Sequence, residues 1–188
     1  IHTETAALIF HRPRKEVWER LTKRGVEIPL EDKVLYVSEY ERYSAKRIVH
    51  ATNYDMREYR FAEIFNRDSI LEGLPTIDVA TAKDYQDKYY TITPSLKLVY
   101  QAEIKKIGST QKKLTNGFRR RMRFHDRIGP ELWRAGYAWY AQSTIGDLTN
   151  IVMQGLRPDV MVMHQMHDGI LVQCRLDECK DIVTHVFD

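Results

Sequence analysis

Ser38-Glu39-Tyr40-Glu41 sets the tightest limit on what this chain can fold into. A serine followed three residues later by a glutamate fits a capping box, in which each side chain satisfies the other's free backbone N–H. The box predicts a helix that begins there, runs through Tyr54 and continues, after a break, towards Phe65. Other helices are expected over Thr3 to Phe10, from Pro13 to a stop at Gly25, over Val79 to Thr91, and from Pro94 to about Lys106. Gly73-Leu74-Pro75 reads as a connector. From Leu114 to Phe124 the pattern becomes strand-like around Asn116-Gly117. A long helix follows from about Pro130 to Leu156, closed by Arg157-Pro158. Two apolar runs, Val160 to Met163 and Ile170 to Val172, flank His167-Asp168-Gly169, and an Asp-Gly step between such runs is a strong hairpin signal. A last helix is expected near Asp177. The fold class is therefore α+β: a mostly helical lobe over residues 1–110, then a lobe over 111–188 that carries an antiparallel β-hairpin.

At 43% hydrophobic and 29% charged residues, the 188-residue chain has the balance of a globular protein. It contains no apolar run near the ~20 residues that cross a bilayer, and nothing like a signal peptide. Cys174 and Cys179 are too few for a disulfide framework and point to a reducing, cytoplasmic compartment. The chain opens on Ile1 rather than Met, so further sequence is expected before it. The overall charge of +3 conceals a strong asymmetry. Nine basic residues and one acidic residue lie between Lys105 and Arg127, leaving 20 basic against 25 acidic elsewhere. Positive charge gathered in one segment suggests a polyanionic partner.

Arg42, Lys46, His50 and Tyr54 recur every fourth residue of the capped helix. That spacing makes a slowly drifting stripe, roughly 18 Å long at 1.5 Å per residue. Its length is close to that of an extended nucleoside triphosphate. The two cations come first and the two rings last, matching a phosphate end and a base end.

The segment from Arg42 to Met56 resembles the fingers-helix motif of family A DNA polymerases: Arg, Lys four on, an aromatic four further, then Tyr-Gly. The resemblance gives Arg42 and Lys46 the triphosphate, His50 the sugar and Tyr54 the guard of the insertion site. His50 stands where the family has Phe or Tyr, and Asp55 stands where it has Gly. Ile1 to Phe10 resembles the segment before that helix, which makes His2 a fifth nucleotide-binding residue. Gln165-Met-His167-Asp168-Gly-Ile-Leu-Val172 is similar to the motif whose Asp binds catalytic magnesium on a palm hairpin. Asp168 and Lys46 are thus the expected catalytic residues, and Asp168 the expected Mg2+ ligand. Arg134 and Gln142 match palm-helix contacts to template and primer, and Asp147 reads as structural. Gly117-Phe-Arg119-Arg120-Arg121 resembles a strand that touches the duplex backbone, and His167 joins the DNA contacts.

The resemblance implies a fragment or subunit of a magnesium-dependent nucleotidyltransferase from a bacterial cell or a phage-infected host. It would take dNTP and primer-template DNA. Two-metal chemistry needs a second aspartate. In the family that residue precedes the segment that begins here, so an N-terminal polymerase segment or subunit is expected to supply it. Two alternatives stand: a catalytically inactive DNA-binding or replication-scaffold module, and a metal-dependent phosphohydrolase using a His-Asp pair, against which His164 and His167, three apart in a strand-like run, fall on opposite faces.

Overall fold

The computed structural model describes residues 1–125, 127–156, 158, 160–166 and 169–187, the last three by backbone alone. Helix takes 64% of it, and the strands form two small antiparallel hairpins, so the α+β fold class holds. The chain forms two compact units, Ile1–Lys105 and Lys106–Asp188. No helix among the described residues is long and apolar enough to cross a membrane.

The first unit is built on helix α3, Glu39–Asn53. Its capping box is complete. The Ser38 hydroxyl accepts from the Glu41 N–H at 3.1 Å, and the Ser38 N–H donates to Glu41 Oε2 at 2.8 Å. The other Glu41 oxygen takes the Arg12 guanidinium, with Nε at 2.9 Å, so this nearly buried carboxylate is fully partnered. One side of α3 is buried at Ser44, Ala45, Ile48, Val49, Ala51 and Thr52, the recurrence an amphipathic helix requires. Against it pack α1 (His2–Ile9), α4 (Glu58–Leu71) and α5 (Val79–Ile92). Their shared core holds Ile9, Ile48, Phe61, Phe65 and Tyr89, with Phe61 and Phe65 edge to face at 5.8 Å. Complete burial of a side chain such as Ile48 or Phe65 stabilises by about 2 kcal/mol.

Two sequence expectations change here. The helix expected from Pro13 is only α2, Trp18–Lys23. Backbone between positions 14 and 18 pairs instead with 35–37: Arg14 N–H to Leu35 O at 2.9 Å, Val37 N–H to Glu16 O and Trp18 N–H to Val37 O at 3.1 Å each. This long-range pairing takes up the Glu16 carbonyl and the Trp18 N–H, which a helix running on from Pro13 would have used in its own ladder. The Pro94 helix opens as a π-turn, Leu96–Gln101, before becoming α6, Ala102–Gln111.

In the second unit, β1 (Lys113–Thr115) pairs with β2 (Arg121–Arg123), and α7 runs over Pro130–Gly155. Gly108 is required by close packing, because a Cβ there would lie 2.6 Å from the Trp133 ring. Strands β3 (Met161–Met166) and β4 (Gly169–Gln173) form the expected hairpin, with Met166 opposite Gly169 and an irregularity between Val162 and His164. All six β3 residues are exposed, and so are Ile145, Leu148 and Ile151 of α7. A lone two-stranded hairpin is marginally stable in water.

Tyr54 ends α3 as its C-cap, and Asp55 follows in the left-handed region at φ 54°. A glycine adopts that conformation without the Cβ clash that penalises other residues. Asp55→Gly is therefore expected to raise stability by about 0.5–1 kcal/mol. Urea unfolding checks it; a lower midpoint would show that the Asp55 carboxylate, 4.0 Å from Lys105 Nζ, contributes more than the backbone strain costs.

Candidate nucleotide-binding site

The stripe foreseen on α3 lies away from the core. Lys46 and His50 are exposed and Arg42 and Tyr54 half-buried, while the residues between them pack inward. Helix α1 then adds the fifth residue: the His2 and His50 rings lie 6.2 Å apart, tilted by 36°. Four of the five predicted nucleotide residues, His2, Arg42, Lys46 and His50, thus share one electrostatic neighbourhood. Burial pushes the His2 pKa down, and the charges of His50, Arg42, the N-terminus and Lys46 push it further. His50 is lowered by burial, then by Lys46 and Arg47. His2 Nδ1 is buried with no hydrogen-bond partner in the structure. Two imidazoles whose charged form is disfavoured, first by burial and then by nearby cations, mark a place where an anion would be welcome.

The cations on α3 differ in how far they are committed. Arg47 binds Asp68 of α4 at 2.7 Å and lies 5.2 Å from the Tyr43 ring centroid, which makes it a structural residue. Arg42 reaches Glu39 at only 3.4 Å, and that carboxylate is already held by two bonds from Arg20, at 2.7 and 2.9 Å. Lys46 makes no ion pair among the described residues. The stripe therefore keeps uncompensated positive charge at its first half. At its ring end lies an apolar hollow of about 140 Å³ between α3 and α4, walled by His50, Tyr54, Met56, Phe61 and Phe65.

Sequence reading missed what holds the ring end in place. Gln101, 2% exposed, donates to Thr52 O at 3.1 Å and Asn53 O at 3.4 Å. The Tyr89 hydroxyl donates to Asn53 Oδ1 at 3.2 Å, and Gln86 Nε2 to Met56 O at 2.9 Å. Gln101 answers carbonyls that the end of α3 leaves open, while Tyr89 and Gln86 hold the Asn53 side chain and the chain just beyond it. Nothing local in the sequence marks them, because their partners lie 30 or more residues away.

The predicted duplex contacts belong to the second unit. Arg119 sits at φ 65° in the β1–β2 turn, and Arg121 is exposed on β2. Arg120 is instead tied to Asp147 on α7, with Nε at 2.9 Å, and Asn116 Nδ2 reaches the same carboxylate at 2.7 Å. The hydrogen bonds from Arg120 and Asn116 hold the Asp147 carboxyl below its usual range. Arg134 and Gln142, half-buried and exposed, lie two turns apart on α7. His167 and Asp168 lie outside the described residues. Among the described residues no group of three or more His, Cys, Asp or Glu could hold a metal ion.

No family model and no curated protein sequence matches the chain. Among solved structures it is similar to the POL domain of Pol1 from M. smegmatis in complex with DNA primer-template and dNTP, with a TM-score of 0.64 at 16% identity. The likeness covers 99% of this chain and 34% of that one. This chain therefore spans about a third of the length of the polymerase structure it resembles, and what it shares with it is the fold.

Gln101→Leu keeps most of the side-chain volume and removes the donor. It is expected to cost about 1–3 kcal/mol in urea unfolding and to speed amide exchange at 54–56, because one buried and one part-buried carbonyl lose their partner. Unchanged exchange there would contradict the anchoring role.

Proposed function

We propose that this chain carries the nucleotide-gripping helix of a template-directed DNA polymerase of the family A kind, and acts in nucleotidyl transfer from dNTP to a primer 3′-hydroxyl. The observation that carries the reading is the gathering of Arg42, Lys46 and His50 of α3 and His2 of α1 into one electrostatic neighbourhood. The likeness to a solved polymerase domain supports it independently of the motif letters.

In this reading Arg42 and Lys46 hold the phosphates, His2 and His50 complete the cationic lining, and Tyr54 closes the base end beside the apolar hollow. Lys46 neutralises charge on the leaving phosphates. Asp168 is the proposed magnesium ligand; magnesium would activate the primer hydroxyl and brace the triphosphate. The second aspartate comes from another polymerase segment or subunit, which would also cover the exposed apolar side chains of β3 and α7. Arg119, Arg121, Arg134 and Gln142 contact primer-template DNA, while Arg120 acts through the turn it fixes to Asp147. Asp168→Ala should abolish primer extension by the chain supplemented with such a segment. If DNA binding persists and extension never appears, the chain is a non-catalytic DNA-binding module.

Nucleotide binding is tested on the chain itself. Lys46→Ala and Arg42→Ala should each weaken dATP binding about tenfold in calorimetry, which is 1.4 kcal/mol. Lys88→Ala on α5 should leave it unchanged. Equal losses at all three positions would indicate non-specific charge attraction.

Binding should also take up protons. Both histidines titrate below their ordinary value of 6.5 in the free protein. A bound triphosphate raises both pKa values, so the bound state holds more protons than the free state. Affinity is then expected to rise as pH falls through the bound-state pKa values, and to level off below the free-state ones. A His2→Ala/His50→Ala double variant removes this uptake while leaving the ligand's own titration. Calorimetry near pH 6 in buffers of different ionisation enthalpy reads the difference; equal uptake by both proteins would contradict the assignment.

A further inference from the structure

Cys174 and Cys179 stand at the two ends of the short link between β4 and α8, Cys179–Phe187, and nothing in the proposed nucleotide chemistry uses them. Their sulfurs lie 3.4 Å apart. Both are half-buried and neither is in a disulfide. The link between them is held by its own backbone. A 3-10 turn spans Leu176–Glu178, the Glu178 N–H donates to Arg175 O at 3.1 Å, and the Arg175 guanidinium grips Asp177 at 3.1–3.2 Å. The Cys179 thiol also lies 3.5 Å from Arg175 O as a donor. The two sulfurs thus approach because of how the turn is built, and a disulfide length of about 2.05 Å needs them to close by only about 1.4 Å.

We propose that Cys174 and Cys179 form a dithiol modification site, closed to an intramolecular disulfide by small disulfides of the glutathione class. One cysteine thiolate attacks a sulfur of oxidised glutathione, forming a mixed disulfide and releasing one glutathione thiolate, which takes up a proton. The second cysteine attacks the protein sulfur of that mixed disulfide, forming the Cys174–Cys179 bond and releasing the second glutathione. Two cysteine thiols are oxidised, one glutathione disulfide is reduced, and the two thiol hydrogens end on two glutathiones. The hydrogen bond from Cys179, followed by burial, pushes the Cys174 thiol up, consistent with a proton shared between the pair. Closure would tie the end of β4 to the first turn of α8, whose Ile182 is buried.

The test incubates the full chain with oxidised glutathione, quenches it with acid and weighs it intact. The expected product is lighter by two hydrogens, monomeric, and free of retained glutathione. Cys174→Ser should instead keep a glutathione on Cys179, with at least about 100-fold more adduct than the parent chain, because the resolving thiol is gone. Amide exchange over 179–182 should slow in the oxidised chain. Glutathione retained by the parent chain, a chain-to-chain disulfide, or two unreacted thiols would each overturn the proposal.

Discussion

Helix α3 is held at both ends by side chains that satisfy its open backbone groups, and the rest of the first unit is arranged around that fact. At the start, Ser38 and Glu41 answer each other, and Arg12 neutralises Glu41 as it enters the core. At the end, Gln101, Tyr89 and Gln86 take up the carbonyls and side chain from Thr52 to Met56. Held this way, one side of the helix can be given wholly to packing while the other stays polar and exposed.

Features that depend on neighbours in the chain were legible in the sequence. The capping box, the spacing of Arg42, Lys46, His50 and Tyr54 and the Asp-Gly hairpin all follow from local chemistry. Features fixed across distance were not. Pro13 looks like a helix start until the stretch behind it is seen paired with 35–37. Gln101 looks like an ordinary helical glutamine, and only the fold brings it under α3. His2 could be named from a resemblance, but its approach to His50 is a product of how α1 packs on α3. Arg120 reads as one more duplex-facing cation, and the structure ties it to Asp147.

Two residues at which the chain differs from the motif it resembles take on physical meaning. Asp55 adopts the left-handed backbone that a glycine takes up without strain. His50 replaces a purely aromatic ring with one that can carry charge, beside a second histidine and above a lysine. Burial, and then the cations nearby, lower the pKa of both rings in the free protein. A polyphosphate would reverse that balance, which makes this patch sensitive to anions in a way a Phe or Tyr at position 50 could not be.

The most direct measurement is an NMR titration of the 22.2 kDa chain with a deoxynucleoside triphosphate, following the α3 amides and the histidine rings. Saturable shifts concentrated at His2, Arg42, Lys46, His50 and Tyr54, with both imidazoles moving towards the protonated form, are predicted. Shifts scattered over the basic residues of 105–127 with α3 silent would contradict the claim that this helix face receives the nucleotide.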